Sequence, residues 1–363
     1  MKQFKKGVTV LVCTHNGALN LPDTFACLAK QKAIGVAWEI LVVDNASTDN
    51  TAEVAQQLAA SMGAVPVRVI SEPLKGKEQG LYTGLRQASY QYVIVCDDDN
   101  WLDENYVGLA FRIMQEHPGV GLLGGRGLPA FDGPPPAWFF QFESFYAVGR
   151  QGRHDGMLVS SPGRGAYLWG AGSVINRAAI DLLESCGYRP VLTHADYPRF
   201  RCEDLELCLA IQLAGYAIMY DGRLVFRHHI TADRLRWSYL MENSRAGGLG
   251  AALLQPYVDT LHSPGPRRGA HLVWGFYLVD SAWAVGRHLA APKGWKFLAS
   301  LLMRSKGFQG NYDYQVMMVD SYRLYGAWRV RRAFKKLYKR LAVLKEKLAE
   351  ARLPSYTIDR SQI

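Results

Sequence analysis

Four short apolar runs rich in β-branched residues, each followed by a segment of helical period, fill the first 116 residues, and that alternation admits few folds. The runs lie at 8–13, 40–43, 65–70 and 92–96, and the spacing predicts helices over 19–31, 50–62, 78–89 and 103–116. Asn50 and Glu53 stand where a capping pair would open the second helix. Buried strands joined through helices build an α/β structure, a mostly parallel sheet with helices on both faces. Ligands of such sheets bind beyond the C-terminal ends of the strands. The loops at 14–17, 44–48 and 97–100 are therefore expected to meet on one edge.

The composition, 49% hydrophobic and 20% charged, is that of a folded globular protein and excludes disorder on the scale of the chain. The net charge of +10 is local. Residues 1–320 hold 30 basic and 29 acidic side chains, residues 321–350 hold 10 and 2, and residues 351–363 hold 2 and 1. A near-neutral body with one basic segment argues against nucleic-acid binding and for a single contact with something anionic. Six cysteines, with no CxxC pair and apolar neighbours, predict buried thiols in a reducing compartment. The N-terminal basic residues precede only six apolar ones, too few for a signal peptide, so a cytosol-facing protein is expected.

From Gly124 the chain becomes rich in Gly, Pro and aromatic residues, and Pro134, Pro135 and Pro136 rule out a regular helix there. A long substrate-facing loop is expected, then a strand at 166–175, helices at 177–185 and 203–213, and a strand at 217–221. Beyond His229 the pattern is helical. The stretch 270–290 contains Asp280, Arg287 and two histidines, which predicts a buried or interfacial helix rather than a membrane span. Two domains are expected, a catalytic one over 1–230 and a mainly helical region over 231–363.

The chemistry-bearing residues follow the strands. Asp97, Asp98 and Asp99 repel one another, and a divalent cation such as Mn2+ or Mg2+ would offset that charge; a solvated turn capping the next helix is the plainer alternative. Asp44 and Asn45 end the second run, where a carboxylate can accept from a ribose hydroxyl or a base N–H. Thr14, His15 and Asn16 form a polar turn after the first run. Glu203 and Asp204 open a helix, where negative charge is favourable on its own account.

The ordered series VTVLVCTHN, EILVVDNASTDNT, GKEQGLYTGLRQAS and YVIVCDDDNWLD resembles the nucleotide-sugar-binding half of an inverting family 2 glycosyltransferase with the GT-A fold, over about residues 7–230. The resemblance implies a Rossmann-like, mostly parallel sheet flanked by helices, here with a helical C-terminal extension. It implies that Thr14, His15 and Asn16 contact the nucleotide, that Asp44 meets uracil or ribose with Asn45 beside it, and that Gly80, Lys75 and Lys77 lie beside the diphosphate. Asp97 and Asp99 match the outer positions of the DxD metal motif, with Asp98 between them on the nucleotide side. Trp169, Gly170 and Ala171 resemble the acceptor-side segment, and Glu203-Asp204 the pair that supplies the catalytic base. His228 or His229 would be a further metal ligand.

Asp233 through Trp237 resembles the QxxRW motif of processive synthases, but Asp replaces Gln, which points to single-sugar transfer. A nucleotidyltransferase of similar fold would show a GxGxR-type loop where this chain has THNGALN, and a non-catalytic nucleotide-binding module has no reason to keep both acidic motifs. In the basic segment, Trp328, Phe334, Leu337, Leu341, Leu344 and Leu348 form a helical stripe. A basic amphipathic helix of that kind, within about residues 321–350, suits either an anionic membrane surface carrying a lipid-linked acceptor, with the protein peripheral on the inner face of the cytoplasmic membrane, or packing on the catalytic domain.

Overall fold

A computed structural model describes residues 3–161, 165–198, 202–262, 270–290 and 312–351. Strand β1 (Lys5–Thr14) pairs in parallel with β2 (Trp38–Asn45) on one side and β4 (Tyr90–Asp97) on the other, and β3 (Val67–Glu72) lies outside β2. Period-two alternation sorts the side chains. Val8, Val10, Val12, Ile40, Val42 and Ile94 face one core with α1 (Leu21–Leu28) and α4 (Tyr106–Glu116). Leu11, Leu41, Val43, Val93 and Val95 face the other with α3 (Lys77–Gln87), α5 (Arg177–Ser185) and α6 (Glu203–Leu213). Helix α2 (Thr51–Ser61) packs beside β3. The registers Thr14 to Asp44 and Cys13 to Asp97 bring three strand ends level, so the three loops meet on one edge as expected.

Beyond β4 the sheet is mixed. The short β8 (Val174–Asn176) runs antiparallel between β4 and β6 (Val120–Phe131), and β6 runs parallel to β9 (Ala217–Ile230). The free edge of β9 takes β5 (Asn100–Leu102) and β7 (Gly156–Leu158), both antiparallel. The order is β3-β2-β1-β4-β8-β6-β9-β5, and the parallel pairings hold the long ladders. Pairing of β5 with β9 sets Asn100 opposite His228, which brings the acidic triplet and the histidine together.

Several local expectations change. The strand expected at 166–175 shrinks to its last residues, because Gly172 at φ 67° breaks the extended run and Trp169 N–H is taken by the Gln151 side chain rather than by a ladder. The segment after Gly124, expected as loop, continues β6 to Phe131 because β9 offers it a parallel partner over its whole length. The side chain of Asn50 makes no capping bond at α2; Asp49 Oδ1 accepts from Thr51 N–H at 3.0 Å instead.

Helices α7 (Trp237–His262), α8 (Ala270–Ala290), α9 (Tyr312–Arg329) and α10 (Arg331–Ala351) complete the described chain. The apolar stripe of α10 faces inward: Leu337, Leu341, Leu344 and Leu348 join the core that holds Leu183, Leu207 and Leu254. Phe334 is also buried, while Trp328 at the end of α9 is 67% exposed. Arg332, Lys336, Lys339 and Lys347 remain on the solvent side. No described helix is long and apolar enough to cross a membrane. Part of the expected 231–363 region, including residues 352–363, lies outside the described residues.

Candidate active site

A cavity of about 560 Å3 opens where the three loops meet, walled also by residues 192–198 and by the turn from β9 into α7. On the nucleotide side Asn45 acts as a clamp. Its Nδ2 donates to Leu74 O at 2.6 Å, and its Oδ1 accepts from Gly76 N–H at 2.9 Å, which holds Lys75 and Lys77 at the rim. His15 places Nδ1 2.8 Å from Asn45 O. Asn16 and Ala46 hold left-handed backbone (φ 55° and 54°) and Cys202 does so at φ 110°, costs of roughly 1–3 kcal/mol each that cluster around this edge. Gly17 is required sterically: a Cβ there would fall 2.0 Å from Asp98 Oδ2 and 2.1 Å from Thr14 Oγ1.

The three aspartates have three different surroundings. Asp97 Oδ2 pairs with Lys77 Nζ at 2.9 Å. Asp98 turns inward, where Thr14 Oγ1 donates to it at 2.5 Å; burial, together with Asp99 and Asp97, raises its carboxyl to about 6. Asp99, 5% exposed, lies 2.7 Å from Arg234 Nη1 and 3.4 Å from His228 Nε2. Burial works to raise the Asp99 carboxyl, but the hydrogen bond and charge of His228 and the charges of Arg234 and Lys77 outweigh it and hold it well below the usual carboxylate range.

Opposite stands the N-terminus of α6. A second cavity of about 60 Å3 shares Cys13, Lys77, Asp97 and Glu203 with the first and adds Asp204, Gly170 and Ser173. Asp204 Oδ2 accepts from Gly170 N–H at 3.3 Å and Oδ1 from Leu205 N–H at 2.9 Å. Burial, then the charge of Glu203, push its carboxyl up to about 6 against the opposing pull of Lys77 and the two backbone bonds. A carboxylate with that pKa takes up and releases a proton near neutral pH.

Of the expected site residues, Thr14, His15, Asn45, Lys75, Lys77, Asp97, Asp98, Asp99, Glu203 and His228 line the larger cavity, and Gly170 and Asp204 the smaller. Others stand behind the wall. Asp44 is buried and its Oδ1 accepts from Ser47 N–H at 3.3 Å; Asn16 Oδ1 accepts from Thr48 N–H at 2.8 Å. Gly80 is buried in α3, 3.6 Å in projected Cβ contact from Asn45 and Cys13, with Gly76 at the wall instead. Ala171 is in the core, and Trp169 bonds to Gln151. His229 points away, 2.7 Å from Asp132 and stacked on Trp101, because successive residues of β9 alternate faces. Sequence reasoning missed Arg234, His194, Tyr197 and Tyr239 on the cavity wall. Only Arg234 carried a signal, its place within the imperfect QxxRW-like run, at the position after Asp233.

Asp97, Asp99 and His228 are the hard oxygen and imidazole donors suited to Mn2+ or Mg2+. The pair Asp99 and His228 converges; Asp97 is turned to Lys77. Among the described residues no three His, Cys, Asp or Glu groups stand close enough to hold an ion as placed. The donor chemistry fits, and a guanidinium sits against the converging pair.

The family model for Glycosyl transferase family 2 matches residues 9–167, and that for Glycosyl transferase family group 2 matches residues 92–259. Poly-beta-1,6-N-acetyl-D-glucosamine synthase of Staphylococcus aureus (strain COL) is 27% identical over 121 residues, 33% of this chain and 28% of the relative's own length. The Staphylococcus epidermidis protein of the same name is 26% identical over 124 residues, 34% of this chain and 29% of its own. A mannosyltransferase from Pyrobaculum calidifontis, solved in complex with GDP-Man and Mn2+, shares the fold with a TM-score of 0.54 at 18% identity, covering 91% of this chain and 88% of that one. The two family matches run between them from residue 9 to residue 259, across nearly the whole sheet and both acidic motifs, and they mark this chain as a family 2-type glycosyltransferase.

Proposed function

We propose that this chain is a metal-dependent, inverting, non-processive glycosyltransferase that moves a sugar from a nucleotide diphosphate donor, UDP-linked in our reading, to a sugar or lipid-linked sugar in glycan assembly. The observation that carries the reading is the facing of two acidic groups across adjoining cavities: the Asp97–Asp99 cluster with its Lys and Arg partners, and Asp204 with its carboxyl raised to about 6. In this reading Thr14, His15 and Asn45 contact the nucleotide, with Asp44 and Asn16 shaping that wall, and Lys75 and Lys77 meet the diphosphate. Asp97, Asp99 and His228 would hold Mn2+ or Mg2+, which when bound would stabilise the departing diphosphate charge. Asp204 takes the proton from the acceptor hydroxyl as that oxygen attacks C1 from the face opposite the diphosphate. Glu203 orients it, and Gly170 fixes its carboxylate.

Single-sugar transfer is supported by the Asp at the Gln position of the QxxRW-like run and by the fate of its neighbours: Arg236 is exposed and pairs with Asp233, and Trp237 packs on Trp138 and Phe142. The relatives named for polymer synthesis share only 28% and 29% of their length with this chain. The boundary between a catalytic unit and a helical region near residue 230 belongs to the same proposal. The test is release of the nucleotide (UDP, GDP, dTDP or CMP) from a panel of UDP-, GDP-, dTDP- and CMP-linked sugars with Mn2+. UDP release that is lost in Asp99→Ala supports the reading; no turnover and no calorimetric binding of any nucleotide would defeat it.

Membrane contact, in this proposal peripheral on the cytosolic face, now rests on charge, since the apolar stripe of α10 lies in the core. Each basic residue close to an anionic bilayer contributes on the order of 1 kcal/mol. Replacing Arg332, Lys336, Lys339 and Lys347 by Glu should abolish co-flotation with phosphatidylserine liposomes and leave thermal stability intact. Equal flotation of both forms would remove this surface from consideration.

A further inference from the structure

Arg234 stands where a cation belongs. His228 Nδ1 is 2.6 Å from Tyr146 O, a carbonyl that can only accept, so Nδ1 donates there and Nε2 is the ring atom that faces the cavity. Nε2 lies 3.4 Å from Asp99 Oδ2. Arg234 Nη1 reaches into the same pair, 2.7 Å from Asp99 Oδ2 and 3.2 Å from His228 Nε2. The arrangement is the one a divalent ion would impose on the same two atoms, with the ring oriented from behind by a backbone carbonyl as in metal sites.

We propose that Arg234 is a cation surrogate that couples metal entry to the nucleotide: without nucleotide its guanidinium occupies the Asp99–His228 pair, and a diphosphate in the cavity draws it away and leaves the pair to a divalent ion. The inference rests on the donor-binding reading above. Guanidinium groups match a diphosphate bidentately, so Arg234 has a better partner once one arrives. Arg234 is carried by the turn between β9 and α7, where its own N–H bonds back to Thr231 O at 3.0 Å, so the arm swings from a short anchored segment rather than from a strand. Neutralisation of Asp99 by Arg234 also explains how a buried carboxylate cluster folds before any ion is present. By linkage, whatever factor the nucleotide adds to metal affinity, the metal adds to nucleotide affinity.

Calorimetric titration of Mn2+ into the full chain, with and without UDP, tests this. Arg234→Met should bind Mn2+ roughly tenfold or more tighter than wild type in the absence of UDP, because the competing charge is gone. UDP should raise Mn2+ affinity strongly in wild type and far less in the variant. Arg234→Gln, which keeps much of the length and the hydrogen bonding, should reproduce the gain if the Met variant does not fold. Arg236→Ala, the same charge lost two residues on at the surface, should change nothing. A folded Arg234 variant with wild-type Mn2+ affinity overturns the surrogate role. Wild type that binds no nucleotide at all instead overturns the donor reading, a result visible in the UDP titration alone.

Discussion

Asp204→Asn should lower kcat by roughly 10²–10⁴-fold while the nucleotide still binds with near wild-type affinity, because a general base contributes about that much and the Asn side chain keeps the Gly170 N–H acceptor. The pH profile separates this role from a structural one. With the Asp204 carboxyl at about 6, kcat/KM of the wild type should fall about tenfold per unit as pH drops below about 6, since the base must be unprotonated to act. That limb should vanish in Asp204→Asn. Glu203→Gln should retain it and move it to lower pH, because the negative charge of Glu203 is, after burial, what raises the Asp204 carboxyl. Full activity of Asp204→Asn, or an acid limb that survives in it, would assign the base elsewhere.

The second large effect lies two residues further along α6. Glu206, 1% exposed, accepts from Val191 N–H and Leu192 N–H, both at 2.8 Å, and from the Tyr257 hydroxyl at 2.5 Å. It ties the 190s segment to α6 and α7, and Leu192, Thr193, His194 and Tyr197 of that segment wall the larger cavity. A second tie comes from Glu78 Oε1, which accepts from His194 N–H at 2.7 Å. Glu206→Ala leaves three donors without an acceptor, two of them buried and the third partly so, at about 1–3 kcal/mol each before relaxation. We expect a loss of at least about 3 kcal/mol and a melting temperature lower by roughly 5 °C or more. KM should rise more than kcat falls, because the wall loosens while Asp204 stays on its helix. Tyr257→Phe removes one of the three bonds and should cost about 1 kcal/mol. An unchanged melting curve for Glu206→Ala would show that the segment is held by something other than this carboxylate.

These predictions draw on different levels of the protein. Asp204 could be proposed from the sequence because the acidic pair that opens its apolar helix follows an ordered series resembling family 2 glycosyltransferases; the pair alone reads equally as favourable charge at a helix N-terminus. Glu206, two residues on, could not, because its partners are 15, 14 and 51 residues away and backbone amides carry no sequence signature. The same contrast separates His228 from His229. Adjacent in sequence, they could not be ranked until the register of β9 against β5 placed the first opposite Asn100 and turned the second to Trp101.

The basic segment shows the limit from the other side. Its helical stripe held from Phe334 to Leu348, with Trp328 outside it at the exposed end of α9, and periodicity says that a face is covered without saying by what; here the cover is the core around Leu183, Leu207 and Leu254.

What the sequence alone determined is the alternation of strand and helix, the edge on which the loops gather, and the residue types placed there, since those follow from local periodicity and from the parallel topology it imposes. What only the tertiary structure decided is which charges meet, Lys77 with Asp97 and Arg234 with Asp99, and that burial raises the carboxyl of Asp204. Electrostatic pairing depends on distances of a few ångströms between residues as far apart as 135 positions, and the folding of β9 and α7 over the sheet edge is what sets those distances.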